Sequence, residues 1–280
     1  MTRAPDLSGT RTPQRVKDLV GGVWLSRPST PGAPLARICL DTRTLSAGDL
    51  FIALRGERFD AHDLLHHARA AALILVERDL PAGALPPGVP VLKVHSTRRA
   101  LGHLAHAHRA ALRAKVVGVG GSNGKTTTVR LIDSVLRTTL RGRASLKSHN
   151  NDIGVPLTLL SAEPTDQYLV VEIGTNHPGE IASLGALATP DIAVITSIGR
   201  EHLEFLGSIR GVIAEEGSLL ECIAPGGLGV VPASCPELLE RHAATGHPAP
   251  LVTFGATPGA DLRLTSCTHQ WLPGSATHSA

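Results

Sequence analysis

Residues 115–136 read KVVGVGGSNGKTTTVRLIDSVL. An apolar run enters a glycine-rich turn and leaves it as a segment with apolar residues at helical intervals, so the pattern is strand, loop, helix. Glycines let backbone N–H groups approach phosphate oxygens, and a helix N-terminus favours an anion there. Lys125 has the length to reach outer phosphates, and the Thr126 hydroxyl suits a magnesium ion. Gly121, Ser122, Asn123, Gly124, Lys125, Thr126 and Thr127 are therefore the expected nucleotide contacts. The spacing departs from the general phosphate-loop pattern, because five residues, Val119 to Asn123, separate Gly118 from Gly124 where that pattern has four. Gly121 supplies the earlier turn instead. A glycine turn beside a stray lysine is the plainer alternative, and the flanking strand and helix disfavour it.

Downstream, short wholly apolar runs recur between helical stretches: YLVVEI at 168–173, IAVIT at 192–196 and LGVV at 228–231. Strands apolar on both faces predict a mostly parallel, doubly wound α/β sheet covered by helices. In such sheets ligands sit beyond the carboxyl ends of the strands. Glu172 ends one of these runs and His202 follows another, so both share an address with the loop, and a carboxylate and an imidazole suit a magnesium that bridges ATP phosphates. Upstream, strand-like ALILVE at 72–77 and VPVLKV at 89–94 precede a helix predicted over 96–114. Residues 1–113 are thus expected to form a small α/β domain, and residues 114–280 a second one carrying the loop.

The 280 residues are 42% apolar and 18% charged, with a net charge of +3, which describes an ordinary globular protein and names no partner. The basic residues Arg98, Arg99, Arg109 and Arg113 lack the interleaved aromatics of a nucleic-acid surface, since aromatics make up 2% of the chain; they read as a solvated helix face. No apolar run reaches membrane-spanning length and no signal segment opens the chain, which points to the cytoplasm. Cys39, Cys222, Cys235 and Cys267 form no CxxC pair, so neither a disulfide nor a zinc site is expected. The clusters His62, His66 and His67, and His103 and His106, read as solvated faces, with His62 a partial exception.

Beyond these features, the loop GVGGSNGKTTT resembles the GxxGxxGKTT signature of the Mur ligases. NNDIGVPLTLL at 150–160, EIGTNHPGEI at 172–181 and HLEFLGS at 202–208 are similar, in order and spacing, to the segments that follow it in that family. LDTRTLSAGDLFIALRGERFDAHD at 40–63 is similar to the amino-terminal domain of the members that bind muramoyl peptides through UDP. The segments NNDIGVP and GTNHPGEI resemble the member that adds D-alanyl-D-alanine, rather than the preceding one that adds diaminopimelate or lysine.

The resemblance implies an ATP- and Mg2+-dependent ligase joining D-alanyl-D-alanine to UDP-N-acetylmuramoyl-tripeptide through an acyl phosphate, and acting as a monomer. It implies that Lys125, Glu172 and His202 serve catalysis and that Thr126, Glu172 and His202 hold magnesium. Asp41, Thr42 and Arg43 would hold the UDP end, with Asn150 and Asn151 on the muramoyl-peptide side. Glu216 stands where most of the family has a carbamylated lysine, and it is expected to coordinate magnesium directly or through one water; a solvated helix glutamate beside Glu215 is the alternative. Ser148 and Ser197 replace asparagines that are common in the family. The family's third, Rossmann-like domain and its LPGxHNxxN segment find no counterpart, the nearest string being WLPGSATHSA at 271–280. The expectation is therefore a fragment, with a non-catalytic binding protein as its rival.

Overall fold

The structure, a computed structural model, describes residues 12–81, 83–146 and 149–267. Ser148 and the 271–280 string lie outside them. Two sheets organise the chain. The first takes β1 (Val23–Ser26), β2 (Ile38–Cys39), β3 (Leu50–Ile52), β4 (Leu73–Val76) and β5 (Val91–Lys93) in the order β1-β5-β4-β3-β2, all parallel except β1 against β5. α1 (Pro13–Val20) precedes it, and α2 (Thr97–Ala111) follows. β3 and β4 are buried along their whole length, as expected of parallel strands covered on both faces.

The second sheet takes β6 (Lys115–Gly120), β7 (Gly142–Ala144), β8 (Tyr168–Glu172), β9 (Ile192–Ile195), β10 (Leu228–Pro232), β11 (Leu251–Gly255) and β12 (Leu262–Arg263). The order is β12-β11-β10-β9-β6-β8-β7, and every pairing is parallel. α3 (Lys125–Leu136), α4 (Gly154–Ser161), α5 (Glu180–Ala188), α6 (Leu203–Leu206), α7 (Ile209–Gly217) and α8 (Pro236–Thr245) fill the crossovers. β6 lies between β8 and β9, so the loop after it, Glu172 at the end of β8 and the segment after β9 share one edge of the sheet.

α2 is the seam between the sheets. It packs on α1, α4 and α5, and its buried Leu101, Leu104 and Ala105 share one core with Leu73 and Leu75 of the first sheet, Leu169 of the second and Leu159 of α4. Arg99 and Arg113 are exposed, as a solvated face requires, and Arg98 is half-buried; the reading is corrected at Arg109. Arg109 is buried and donates to the carbonyls of Ala188 and Thr189, each at 2.9 Å, and to Asp191 at 2.8 Å. Burial alone would raise the Asp191 carboxyl, but the Lys115 ammonium, the Val116 N–H and Arg109 together hold it below its ordinary value. His62 is buried as well; its Nε2 accepts the Glu77 N–H at 3.0 Å.

Candidate active site

The glycine loop is shaped by what lies behind it. Gly121 has φ +113°, and a Cβ there would meet Thr196 Oγ1 at 2.4 Å and the Thr196 nitrogen at 2.7 Å, so no larger residue fits. Three backbone donors of the loop are turned inward. Gly121 N–H donates to Glu216 Oε2 at 2.6 Å, Ser122 N–H to the Ser197 carbonyl at 2.9 Å, and Asn123 N–H to Ser197 Oγ at 3.0 Å. Gly124, at φ +86°, then opens α3, whose first turn has no side-chain cap. An uncapped first turn leaves its N–H groups to an anion. The N–H groups not turned inward therefore begin at Gly124 and run through Lys125, Thr126 and Thr127, a narrower set than the 121–127 stretch expected from the sequence.

Lys125 Nζ donates to the Gly121 carbonyl at 2.6 Å and the Ser122 carbonyl at 3.3 Å, and it lies 4.0 Å from Glu201 Oε2. Thr126 Oγ1 donates to Glu172 Oε2 at 2.9 Å, while Glu172 Oε1 accepts Asn150 Nδ2 at 3.1 Å. The Glu172 carboxylate is buried, and its own N–H donates to Ser145 Oγ at 2.9 Å. A short chain of bonds thus joins the glycine loop to the Asn150 turn through Glu172. Asn151 is placed differently: its Oδ1 accepts the N–H groups of Ile153 and Gly154, at 3.2 and 2.9 Å, and caps the entry to α4.

Lys125, Asn150, Asn151 and His202 all line one cavity of about 650 Å3, along with Asp152 and the turn Thr175–Glu180. His202 sits there at the start of α6 with φ +47°, an uncommon left-handed conformation for a residue with a side chain. Two carboxylates that sequence reasoning missed hold the turn at 175–181: Glu180, which lines the cavity, and Glu215 behind it. Glu180 accepts the Asn176 N–H at 2.7 Å, the His177 N–H at 3.1 Å and the Thr175 hydroxyl at 3.3 Å. Glu215, buried, accepts the Gly179 and Ile181 N–H groups at 2.7 and 2.9 Å. Glu180 lies in the EIGTNHPGEI segment and its partners are within five residues of it, whereas the partners of Glu215 lie more than thirty positions away and are brought to it by the fold.

Glu216 departs from the second of its two expectations. It is fully buried, so it is not a solvated helix glutamate. Its Oε2 holds the Gly121 N–H, and its Oε1 has no hydrogen-bond partner. Burial pushes this carboxyl up to about 7, with Glu201 adding to the rise and Lys125 and the Gly121 N–H opposing it. Among the described residues, no group of three or more histidine, cysteine, aspartate or glutamate side chains is arranged to hold a metal ion. Glu172, His202 and Glu216 are therefore not brought together as one protein-only ligand set.

Asp41, Thr42 and Arg43 lie on the first sheet's side, around a cavity of about 470 Å3 with Leu40, Phe51, Phe59, Ala61 and Leu64. Arg43 pairs with Asp41 through two nitrogens, at 2.9 and 2.6 Å, and this bond to Arg43 holds the Asp41 carboxyl down at about 2. An apolar floor with an exposed phenylalanine and a guanidinium at the rim suits a planar base joined to phosphates.

The profile of the Mur ligase middle domain matches residues 119–273. The UDP-N-acetylmuramoyl-tripeptide--D-alanyl-D-alanine ligase of Escherichia coli (strain K12) is 37% identical over 214 residues, covering 76% of this chain and 46% of that protein. A crystal structure of MurF from Acinetobacter baumannii superposes with a TM-score of 0.80 at 31% identity, over 93% of this chain and 55% of that one. The MurF ligase of Thermotoga maritima in complex with ADP gives a TM-score of 0.72 at 29% identity, over 80% of this chain and 51% of that one. The chain spans about half the length of the curated relatives it matches. Among the described residues, no helix is long and apolar enough to cross a membrane.

Proposed function

The chain belongs to the Mur ligase family, and from that premise we propose that it carries the UDP-substrate and ATP sites of a UDP-N-acetylmuramoyl-tripeptide:D-alanyl-D-alanine ligase. The observation that carries this reading is the bonded chain Thr126–Glu172–Asn150, which ties the glycine loop to the rim of the larger cavity. In the proposed division, residues 1–113 take the UDP end, with Asp41, Thr42 and Arg43 around the smaller cavity. Residues from 114 onward take ATP and the muramoyl peptide.

The uncapped first turn of α3 and Lys125 bind the ATP phosphates. For Lys125 this means exchanging its carbonyl acceptors for phosphate oxygens. The Thr126 hydroxyl and the Glu172 carboxylate fit a magnesium ion: they are hard oxygen donors 2.9 Å apart, and magnesium completes its shell with phosphate oxygens and water rather than with a full protein cage. Bound there, magnesium would neutralise charge as two anions approach. His202 faces the same cavity and is assigned to its metal-proximal side. Glu216 is assigned to the support of the loop through Gly121. Asn150 orients Glu172 and, with the Thr175–Glu180 turn, positions the tripeptide carboxylate.

That carboxylate attacks the γ-phosphate in line, forming a C–O–P bond as ADP leaves. The amine of D-alanyl-D-alanine then attacks the acyl carbonyl, releasing phosphate and leaving an amide. No protein nucleophile is required; positioning and charge stabilisation carry the reaction.

Calorimetry with UDP-N-acetylmuramoyl-tripeptide and its dipeptide precursor tests the assignment. Tighter binding of the tripeptide form, together with magnesium-dependent ATP binding, supports it. A preference for the dipeptide form points to the preceding ligase, and absence of binding to either muramoyl nucleotide overturns the reading.

A further inference from the structure

Arg98 lies at the start of α2, on the seam between the two sheets. Its Nη1 donates to both carboxylate oxygens of Asp152, each at 2.9 Å, and its Nη2 donates to the carbonyl of Arg55 at 3.1 Å. One partner lines the larger cavity, and the other begins the turn that supplies a wall of the smaller one. Arg55 opens a turn closed by its bridge to Asp60, and Phe59 within that turn lines the smaller cavity. Asp152 lines the larger one, two residues after Asn150.

We propose that Arg98 is a positioning residue for the muramoyl-peptide nucleotide, one that fixes the spacing between the cavity for its uridine end and the cavity for its peptide end. The inference rests on the function proposed above. A ligand held at two points gains from the second attachment only when the two sites stand at the separation the ligand spans. The planar guanidinium suits this task, because its fork reaches a carboxylate and a carbonyl at once, whereas a lysine ammonium is a single point. Movement of the Asp152 turn also reaches the ATP side, since Asn150 holds Glu172 and Glu172 holds Thr126. Plain structural support is a poor account of the pair. Its side chains are 37% and 54% exposed, and exposed ion pairs contribute little to stability.

The test is calorimetric titration of the 280-residue chain with UDP alone and with UDP-N-acetylmuramoyl-tripeptide, beside thermal melting, for wild type, Arg98→Gln, Arg98→Lys, Asp152→Asn and the Arg98→Gln/Asp152→Asn double variant. UDP affinity and melting temperature are expected to stay at wild-type values throughout. Affinity for the tripeptide nucleotide is expected to fall about tenfold in Arg98→Gln and in Asp152→Asn, no further in the double variant, and less in Arg98→Lys. Equal binding of both ligands by wild type and Arg98→Gln overturns the proposal. So does a proportional loss of both ligands with a lowered melting temperature, which is the mark of a structural role. A wild-type chain that fails to bind the tripeptide nucleotide overturns the functional reading itself, whatever the variants do.

Discussion

Lys125 and Glu172 stand on either side of Thr126 and make separable contributions. Replacing Lys125 with alanine removes a charge-assisted bond of about 1.5–3 kcal/mol, so ATP affinity is predicted to fall about ten- to a hundredfold, with or without magnesium. Glu172→Gln keeps the shape and the partners of the carboxylate but loses its charge. The prediction is that it binds ATP alone as wild type does and loses the increment that magnesium adds. Calorimetry in magnesium and in a chelator checks both; equal losses in the two conditions for Glu172→Gln would count against its assignment. Lys125, Glu172 and His202 were legible as candidates because each chemistry restricts the residue type and each stands at or beyond the carboxyl end of a strand, Glu172 at the end of β8, Lys125 at the start of α3 and His202 at the start of α6. The role of Glu216 was not, because the direction of its carboxylate depends on where α7 packs against the loop.

The glycine loop and α4 carry the predictions that concern elements. Gly121→Ala would force a Cβ into Thr196 in a backbone conformation that disfavours side chains. It is expected to abolish nucleotide binding and lower the melting temperature, whereas Gly226→Ala, also at positive φ but with open space around the added Cβ, should retain binding. Asn151→Ala removes the cap of α4 and is predicted to cost about 1 kcal/mol in chemical unfolding. If Asn151 served the substrate alone, that variant would lose affinity with no change in stability. Strands β6, β8, β9 and β10 were legible from their apolar runs. β7 and β11 were not: they lie toward the sheet's margins, are only partly buried along their lengths, and GRA in β7 offers no apolar pattern.

For the molecule as a whole, α2 packs against both sheets, and Asp191 ties it to the second. Asp191 takes Lys115 at 2.8 Å, Arg109 at 2.8 Å and the Val116 N–H at 2.9 Å, joining α2, β6 and the start of β9. Its folded carboxyl lies below the ordinary value of 3.8, so the unfolded chain binds more protons than the folded one between those two values. Its stabilisation is therefore complete above the ordinary value and is lost as pH falls through the folded one. Asp191→Asn is predicted to lose about 1–3 kcal/mol near neutral pH and to flatten the acid limb of the stability profile. Urea melts from pH 7 downward check this, and an unchanged acid limb would show that these contacts of Asp191 do not stabilise the folded chain.

The sequence by itself determined the strand–loop–helix unit, the parallel character of the second sheet and the strand-end addresses of Glu172 and His202. These follow from local periodicity and from chemistry that few residue types satisfy. The tertiary structure alone decided which loop donors face outward, that Glu216 lies beneath Gly121, and that Arg98 and Arg109 bind across the seam. Each of those facts depends on residues from 43 to 95 positions away reaching the same point, and burial strips the solvent that a charged side chain would otherwise keep. No spacing along the chain records that approach, because packing between helices and sheets sets it.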